Sequence, residues 1–205
     1  MPMQEQKRGF NMFGILIATN NSHKVQEYRD IFKSYNVKVY SLKDLSINID
    51  PEENGKNYFE NALIKINAIK QFTKMPIIAD DSGIEIEALG EHFPGIYSHR
   101  FMKENGGQIA TINMLASKYF GSKAKFHCSI ILANLPNTPI EFVGEINGTI
   151  SKIVKMADFG YDPIFKIDSL NKTYAELDKK EKDKISHRYL ASIKLINFLK
   201  ENKYI

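Results

Sequence analysis

Two short runs without a charged residue, Gly14-Ile15-Leu16-Ile17-Ala18 and Pro76-Ile77-Ile78-Ala79, constrain the fold more than any other feature. Neither alternates apolar with polar residues, so each reads as a strand covered on both faces. Between them, Val25, Tyr28, Phe32 and Tyr35 form a helical stripe over residues 22–35, and Val37-Lys38-Val39-Tyr40 reads as another strand. Residues 56–72 form a second helix, with Phe59, Leu63 and Ile66 on one face. The strand at 76–79 is expected to end in Asp80-Asp81-Ser82-Gly83, after which Ile84, Ile86 and Ala88 alternate with Glu85 and Glu87. Residues 124–134 and 139–147 alternate around Pro136-Asn137, the pattern of a long antiparallel hairpin. Helices follow the 3.6-residue period at 107–120, through Ile109, Ile112, Ala116, Tyr119 and Phe120, and at 181–202, through Ile185, Tyr189, Ile193, Ile196 and Leu199. Strand–helix–strand starts combined with a hairpin give an α/β fold with a mixed sheet. No linker or repeat divides the chain. Residues 1–13 are expected to be a ragged extension and residues 14–203 a single domain.

The single cysteine, Cys128, excludes an intramolecular disulfide in this chain of 205 residues. That argues for a reducing compartment, hence the cytoplasm. Cys128 lies in the apolar run 126–132 and reads as a core thiol. The net charge of +4 is small for a protein that coats nucleic acid, but suits one that holds a polyanionic small molecule. Lys7 and Arg8 precede a faintly leader-like run at 10–18, which Asn11 interrupts. The run lacks a cleavage pattern and is too short to span a bilayer, so no membrane association is expected.

Five segments carry candidate chemistry. Thr19-Asn20-Asn21-Ser22-His23-Lys24 joins the first strand to its helix. Free N–H groups, small polar side chains and a lysine one turn in make a phosphate cradle there, unless Asn21 or Ser22 merely caps the helix. Asp80-Asp81-Ser82-Gly83 sets two carboxylates beside an apolar strand, an arrangement that suits Mg²⁺. Glu52-Glu53-Asn54-Gly55 can add a second source of carboxylate, ahead of a helix bearing Glu60, Asn61 and Lys65. Asp158-Phe159-Gly160-Tyr161-Asp162-Pro163 offers an aromatic face for a base, or else an aromatic plug for the core. Lys182, Ser186, His187 and Arg188 open the last helix. Cations there oppose the helix macrodipole, a conflict that a bound polyphosphate would relieve, unless the face is simply solvated. Together these are the parts for Mg²⁺-assisted attack on a nucleoside triphosphate.

In this order, over residues 15–199, the segments resemble the inosine/xanthosine triphosphate pyrophosphatase family. Ala18-Thr19-Asn20-Asn21 with Lys24 and Glu27 comes first. Glu53-Asn54-Gly55, Phe59-Glu60-Asn61-Ala62 and Lys65 follow, then Ala79-Asp80-Asp81-Ser82-Gly83. Pro94-Gly95-Ile96-Tyr97-Ser98 with Arg100 is next, and the 159–165 segment, Ala175-Glu176-Leu177, Lys182 and Ser186-His187-Arg188 close the series. The resemblance implies an elongated α/β fold with a long mixed β-sheet, flanking helices, two lobes around a central nucleotide cleft, and a homodimer. It implies hydrolysis of ITP, dITP and XTP to the monophosphate and pyrophosphate with Mg²⁺. Asp81 would be the proton acceptor and, with Glu53, a metal ligand. Thr19, Asn20, Asn21, Ser22, His23, Lys24, Lys65 and Lys182 would hold phosphates. Phe159, Gly160, Tyr161, Asp162, Ser82, His187 and Arg188 would line the base. There are two departures from the family pattern: Asn20 stands where a glycine is usual, and Ala157-Asp158 where a glycine pair is.

The competing readings are a Maf-type pyrophosphatase acting on other modified or pyrimidine nucleotides, and a non-catalytic nucleotide-binding protein. The 159–163 segment and Ser186-His187-Arg188 favour the first reading over the Maf type. The modest charge and the lack of a basic-aromatic signature argue against nucleic acid as a partner.

Overall fold

The computed structural model describes residues 12–157, 160–182 and 184–205, the side chains of Lys179 and Lys180 apart. Strand β1 (Phe13–Ile17), helix α1 (Ser22–Lys33) and strand β2 (Val37–Ser41) form the opening unit, with β1 and β2 parallel. Helix α2 (Tyr58–Ile69) then leads to β3 (Ile77–Ile86), which joins the other edge of β1, again parallel. Two helices, α3 (Ser98–Glu104) and α4 (Gln108–Lys118), precede the hairpin of β4 (Lys123–Ala133) and β5 (Ile140–Ile150). The chain closes with β6 (Phe165–Ile167), β7 (Lys172–Thr173), the short α5 (Lys179–Lys182) and α6 (His187–Glu201). The seven strands lie in the order β2-β1-β3-β4-β5-β6-β7, parallel at the first end and antiparallel from β3 onward. The mixed sheet with flanking helices is the one the strand and helix patterns imply.

The sheet carries separate cores along its length. At the β2 end, α1 and α6 bury Ile15, Ile17, Tyr28, Phe32, Leu195 and Leu199 on one face. On the other face α2 buries Leu16, Ile66, Ile77 and Ile131. At the β6 end, Ile84, Ile86, Ile112, Phe126, Ile164 and Phe165 form a further cluster. Strands β3 and β4 are long enough to run from one end to the other. Asp80-Asp81-Ser82-Gly83 sits where the first cores stop and the next begins.

Three expectations are corrected. The apolar strand does not end at Asp80: residues 77–86 form one continuous strand, paired with β4 throughout. The last helix is not continuous from 181. Ser186 caps a new helix with its Oγ accepting from Tyr189 N, so Lys182 and Ser186 do not share a helical face. Ile109 and Phe120 are exposed, because α4 packs through Thr111, Ile112 and Leu115. Helix α3 has too few periodic apolar residues to announce itself in the sequence.

Candidate active site

A cleft of about 580 Å³ opens over the middle of β3, between the cores. Its first wall is the corner between β1 and α1. There Asn21 caps α1, its Oδ1 accepting from His23 N and Lys24 N, while Thr19 Oγ1 accepts from Asn21 N. Thr19, Asn20, Asn21 and Lys24 line the cleft; Ser22 and His23 begin the helix and do not. Lys24 reaches inward to Asp80 Oδ2 at 3.0 Å.

The floor is β3, whose residues alternate in direction. Asp80 is fully buried and accepts from Arg188 Nε at 3.2 Å and Nη2 at 3.1 Å. Burial alone would raise its pKa; Lys24, Arg188 and Lys65 outweigh burial and hold the carboxyl well below the usual range. Asp81 points to the α2 side. Its Oδ2 accepts from Asn61 Nδ2 at 2.9 Å and its Oδ1 from Ser82 N at 2.9 Å. Burial pushes its pKa up, and Lys65 and Lys24 only partly offset that. Among the described residues no cation is within ion-pair distance of Asp81. Lys65, from α2, donates to Asp80 O at 2.9 Å and pairs with Glu53 at 2.9 Å. Burial opposes its charge, but Asp80, Asp81 and Glu53 prevail and raise its pKa. Of the adjacent acids Glu52 and Glu53, it is Glu53 that faces the cleft.

The second wall belongs to the β6 end. Tyr161 and Asp162 are buried, with Tyr161 Oη donating to Ser98 O at 2.6 Å. Lys182 pairs closely with Asp162 and stands over the Tyr174 ring. Burial raises the Asp162 pKa, and Lys182 does not fully offset it. His187 lies flat on Phe126, with ring centroids 4.7 Å apart and an angle of 7°. Burial, then Arg188 and Lys182, lower its pKa well below the usual value, and among the described residues its buried Nδ1 has no hydrogen-bond partner. Gly160 also lines the cleft. Phe159 and Asp158 lie outside the described residues.

The alternative of a solvated basic face at the start of the last helix does not hold, since His187 and Arg188 are buried. Arg188 is 2% exposed and joins Asp80, Glu27 and Ser82 Oγ, the last at 3.1 Å. It ties α6 to β3 and α1 and also lines the cleft. Cys128 is likewise a core thiol, its pKa raised by burial, with Sγ 3.9 Å from Asp80 Oδ2.

The candidate site therefore falls into two clusters. Lys24, Lys65, Glu53, Asp80 and Asp81 gather at one end, and Tyr161, Asp162, Lys182 and His187 at the other. Lys182, which the family resemblance sets with Lys24 and Lys65, is paired with Asp162 in the second group. Two contributors stood in the sequence without being taken as site residues. Glu27 falls three residues after Lys24, on the same face of α1, and Asn61 one turn before Lys65 on α2; that helical spacing was the available signal.

A family model described as the Ham1 family matches residues 15–198. The dITP/XTP pyrophosphatase of Wigglesworthia glossinidia brevipalpis is 40% identical over 201 residues, covering 93% of this chain and 98% of that protein. The dITP/XTP pyrophosphatase of Dictyoglomus thermophilum is 41% identical over 193 residues, with 90% and 93% coverage. Among solved structures, the Ham1 protein of Staphylococcus aureus superposes with a TM-score of 0.78 at 36% identity, covering 92% of this chain and 99% of that one. A HAM1 protein from Coxiella burnetii gives 0.79 at 34% identity, covering 93% and 100%.

Proposed function

The chain belongs to the Ham1 family, and on that premise we propose that it hydrolyses non-canonical purine nucleoside triphosphates, dITP, XTP and ITP, to the monophosphate and pyrophosphate, with Mg²⁺. One observation carries the reading. A buried carboxylate that has no ion-pair partner among the described residues, Asp81, sits at the seam of the cleft between paired lysines on one side and an aromatic, polar pocket on the other. The distance-spanning cleft matches a substrate with polyphosphate at one end and a base at the other.

Asp81 is the proton acceptor. Asn61 and the Ser82 amide fix its carboxylate, and burial makes it more basic than an ordinary aspartate. It takes the proton of a water as that water attacks phosphorus, the new P–O bond forms, and the bond to the pyrophosphate leaving group breaks. Lys65, kept protonated by its anionic surroundings, and Lys24 hold phosphate oxygens. Thr19, Asn20 and Asn21 line the same end.

The donor set fits a hard cation. Asp81 and Glu53 offer carboxylate oxygens, and the burial that raises the Asp81 pKa is the penalty a bound cation would remove. Among the described residues no three His, Cys, Asp or Glu side chains are grouped to hold a metal alone. That suits Mg²⁺, which keeps waters and takes phosphate oxygens from its substrate. When bound, it would supply charge neutralisation of the phosphates and activation of the attacking water.

At the other end, His187 lines the cleft, and Lys182 with Asp162 adds polar groups. Hypoxanthine and xanthine carry a 6-oxo acceptor where adenine has an amino group. A donor aimed there is left unpaired by adenine, which can cost orders of magnitude in rate. Phe159 would supply the stacking face. The same reading makes the enzyme a cytoplasmic homodimer; the lone cysteine supports the compartment and the family resemblance the dimer.

The test is a panel of dITP, XTP, ITP, GTP and dATP, with and without Mg²⁺, with products identified. Pyrophosphate with the monophosphate, released fastest from dITP, XTP and ITP and only with Mg²⁺, is the expected result. Release of orthophosphate, or none from these three, overturns the reading.

A further inference from the structure

Glu53 lies on an irregular stretch between the turn at Lys43–Leu45 and α2, and this stretch is fastened from both halves of the molecule. From the β1–α1 corner, Asn20 Nδ2 donates to Ile49 O and to Asp50 Oδ1, each at 3.0 Å. Ile47 and Ile49 pack on the α2 core. Nearer α2, Gly55 N donates to Asn61 Oδ1 at 2.8 Å. The remaining anchor comes from across the cleft. Arg100 Nη2 donates to the backbone oxygen of Glu53 at 2.6 Å. Arg100 stands on α3, whose Phe101 and Met102 pack on the core at the β6 end. Its guanidinium lies 5.3 Å from the Tyr97 ring centroid, which directs it toward the stretch.

We propose that Arg100 is a positioning residue: by holding the Glu53 carbonyl from the opposite wall, it sets the Glu53 carboxylate beside Lys65 and near Asp81. A guanidinium-to-carbonyl hydrogen bond is charge-assisted, stronger than the neutral bonds that hold most irregular backbone. Without it, among the described residues Glu53 is held by its ion pair with Lys65 and by the flanking anchors at Asp50, Gly55 and Lys56. The inference rests on the reading of Glu53 as a metal-side carboxylate, and Arg100 acts through that residue, not on the substrate.

Hydrogen exchange on the substrate-free protein, together with dITP kinetics at varied Mg²⁺, tests this with Arg100→Ala and Arg100→Lys. Arg100→Ala should speed exchange within residues 46–57 while β3 stays protected. It should lower kcat and raise the Mg²⁺ concentration for half-maximal rate by roughly 10–100-fold, the usual cost of losing an outer-shell partner. KM for dITP at saturating Mg²⁺ should stay near that of the unaltered enzyme, and Arg100→Lys should restore part of both losses. Unchanged exchange with unchanged kcat overturns the proposal. So does faster exchange with unaltered kinetics, or a rise in KM alone, which would put Arg100 on the substrate. Glu53→Gln in an otherwise unaltered chain separates the two readings: full activity there would remove the role of Glu53 itself, and this inference with it.

Discussion

Successive residues of a strand face opposite ways, so Asp80 and Asp81 meet different surroundings although they are adjacent. Asp80 faces α1 and α6, where Lys24 and Arg188 converge on it. Its lowered pKa means that its contribution to stability is complete above the unfolded-state value, about 3.9, and is lost as pH falls through the folded one. Asp80→Asn takes the carboxylate from Lys24 and leaves the buried Arg188, among the described residues, with the carboxylate of Glu27 alone, and should destabilise the fold by about 3–5 kcal/mol at neutral pH. Asp81 has the opposite sign. Its raised pKa means that its charge costs stability at neutral pH, a cost that disappears as pH falls through the raised value. Asp81→Asn should therefore unfold at no lower denaturant than the unaltered protein, while turnover falls about 10²–10⁴-fold through loss of the base. Denaturation at pH 7 alongside turnover checks both. If Asp81→Asn keeps near-full turnover, Asp81 is not the base. The carboxylate pair was legible from residue types alone. Which member the cations tie up was not legible from residue types, because that depends on which face of the strand meets them; only the family resemblance singled out Asp81.

The start of α6 shows how an element is placed by a residue on its neighbour. A Cβ on Gly144 of β5 would come within 2.0 Å of His187 O and 2.4 Å of Ala191 N, both backbone atoms. Only glycine lets the helix settle this close to the sheet. That depth sets His187 on Phe126 and lets Arg188 reach Asp80. Gly144→Ala should cost about 1–3 kcal/mol by overpacking and should also depress activity, since the helix start must lift off β5. Thermal denaturation and kcat/KM for dITP check this, and a variant with normal activity would show that the helix start tolerates displacement. The helical period of the last segment was readable in the sequence, as were the hairpin and the buried strands. The break before Ser186 was not, because lysines and a capping serine fit a helix interior and a helix start alike. Nothing local marks Gly144 either, since its constraint comes from a segment more than forty positions away.

At the scale of the whole molecule, the cleft exists because β3 and β4 outrun any single core. Polar residues occupy the strand where one set of apolar clusters gives way to the next, and each set supplies one wall. The sequence held every segment of both walls. The family resemblance set Lys182 with Lys24 and Lys65; in the structure it pairs with Asp162 and stands over the Tyr174 ring. The division makes a prediction that separates the two walls. Lys24→Ala removes a cation from the Asp80 end, which every triphosphate must use. It should lower kcat/KM for dITP, XTP and GTP by similar factors, about 10–100-fold for a charged hydrogen bond of 1.5–3 kcal/mol. His187→Ala removes a polar ring from the opposite end, where the base differs between substrates. It should change the ratio of dITP to GTP, narrowing it, because losing a directional contact penalises the matched base more. His187 is buried against Phe126, so its loss also lowers the fraction of folded protein. A ratio of two kcat/KM values measured on one preparation is independent of that fraction. A ratio altered in Lys24→Ala and preserved in His187→Ala would mean the substrate lies in the cleft in the reverse direction.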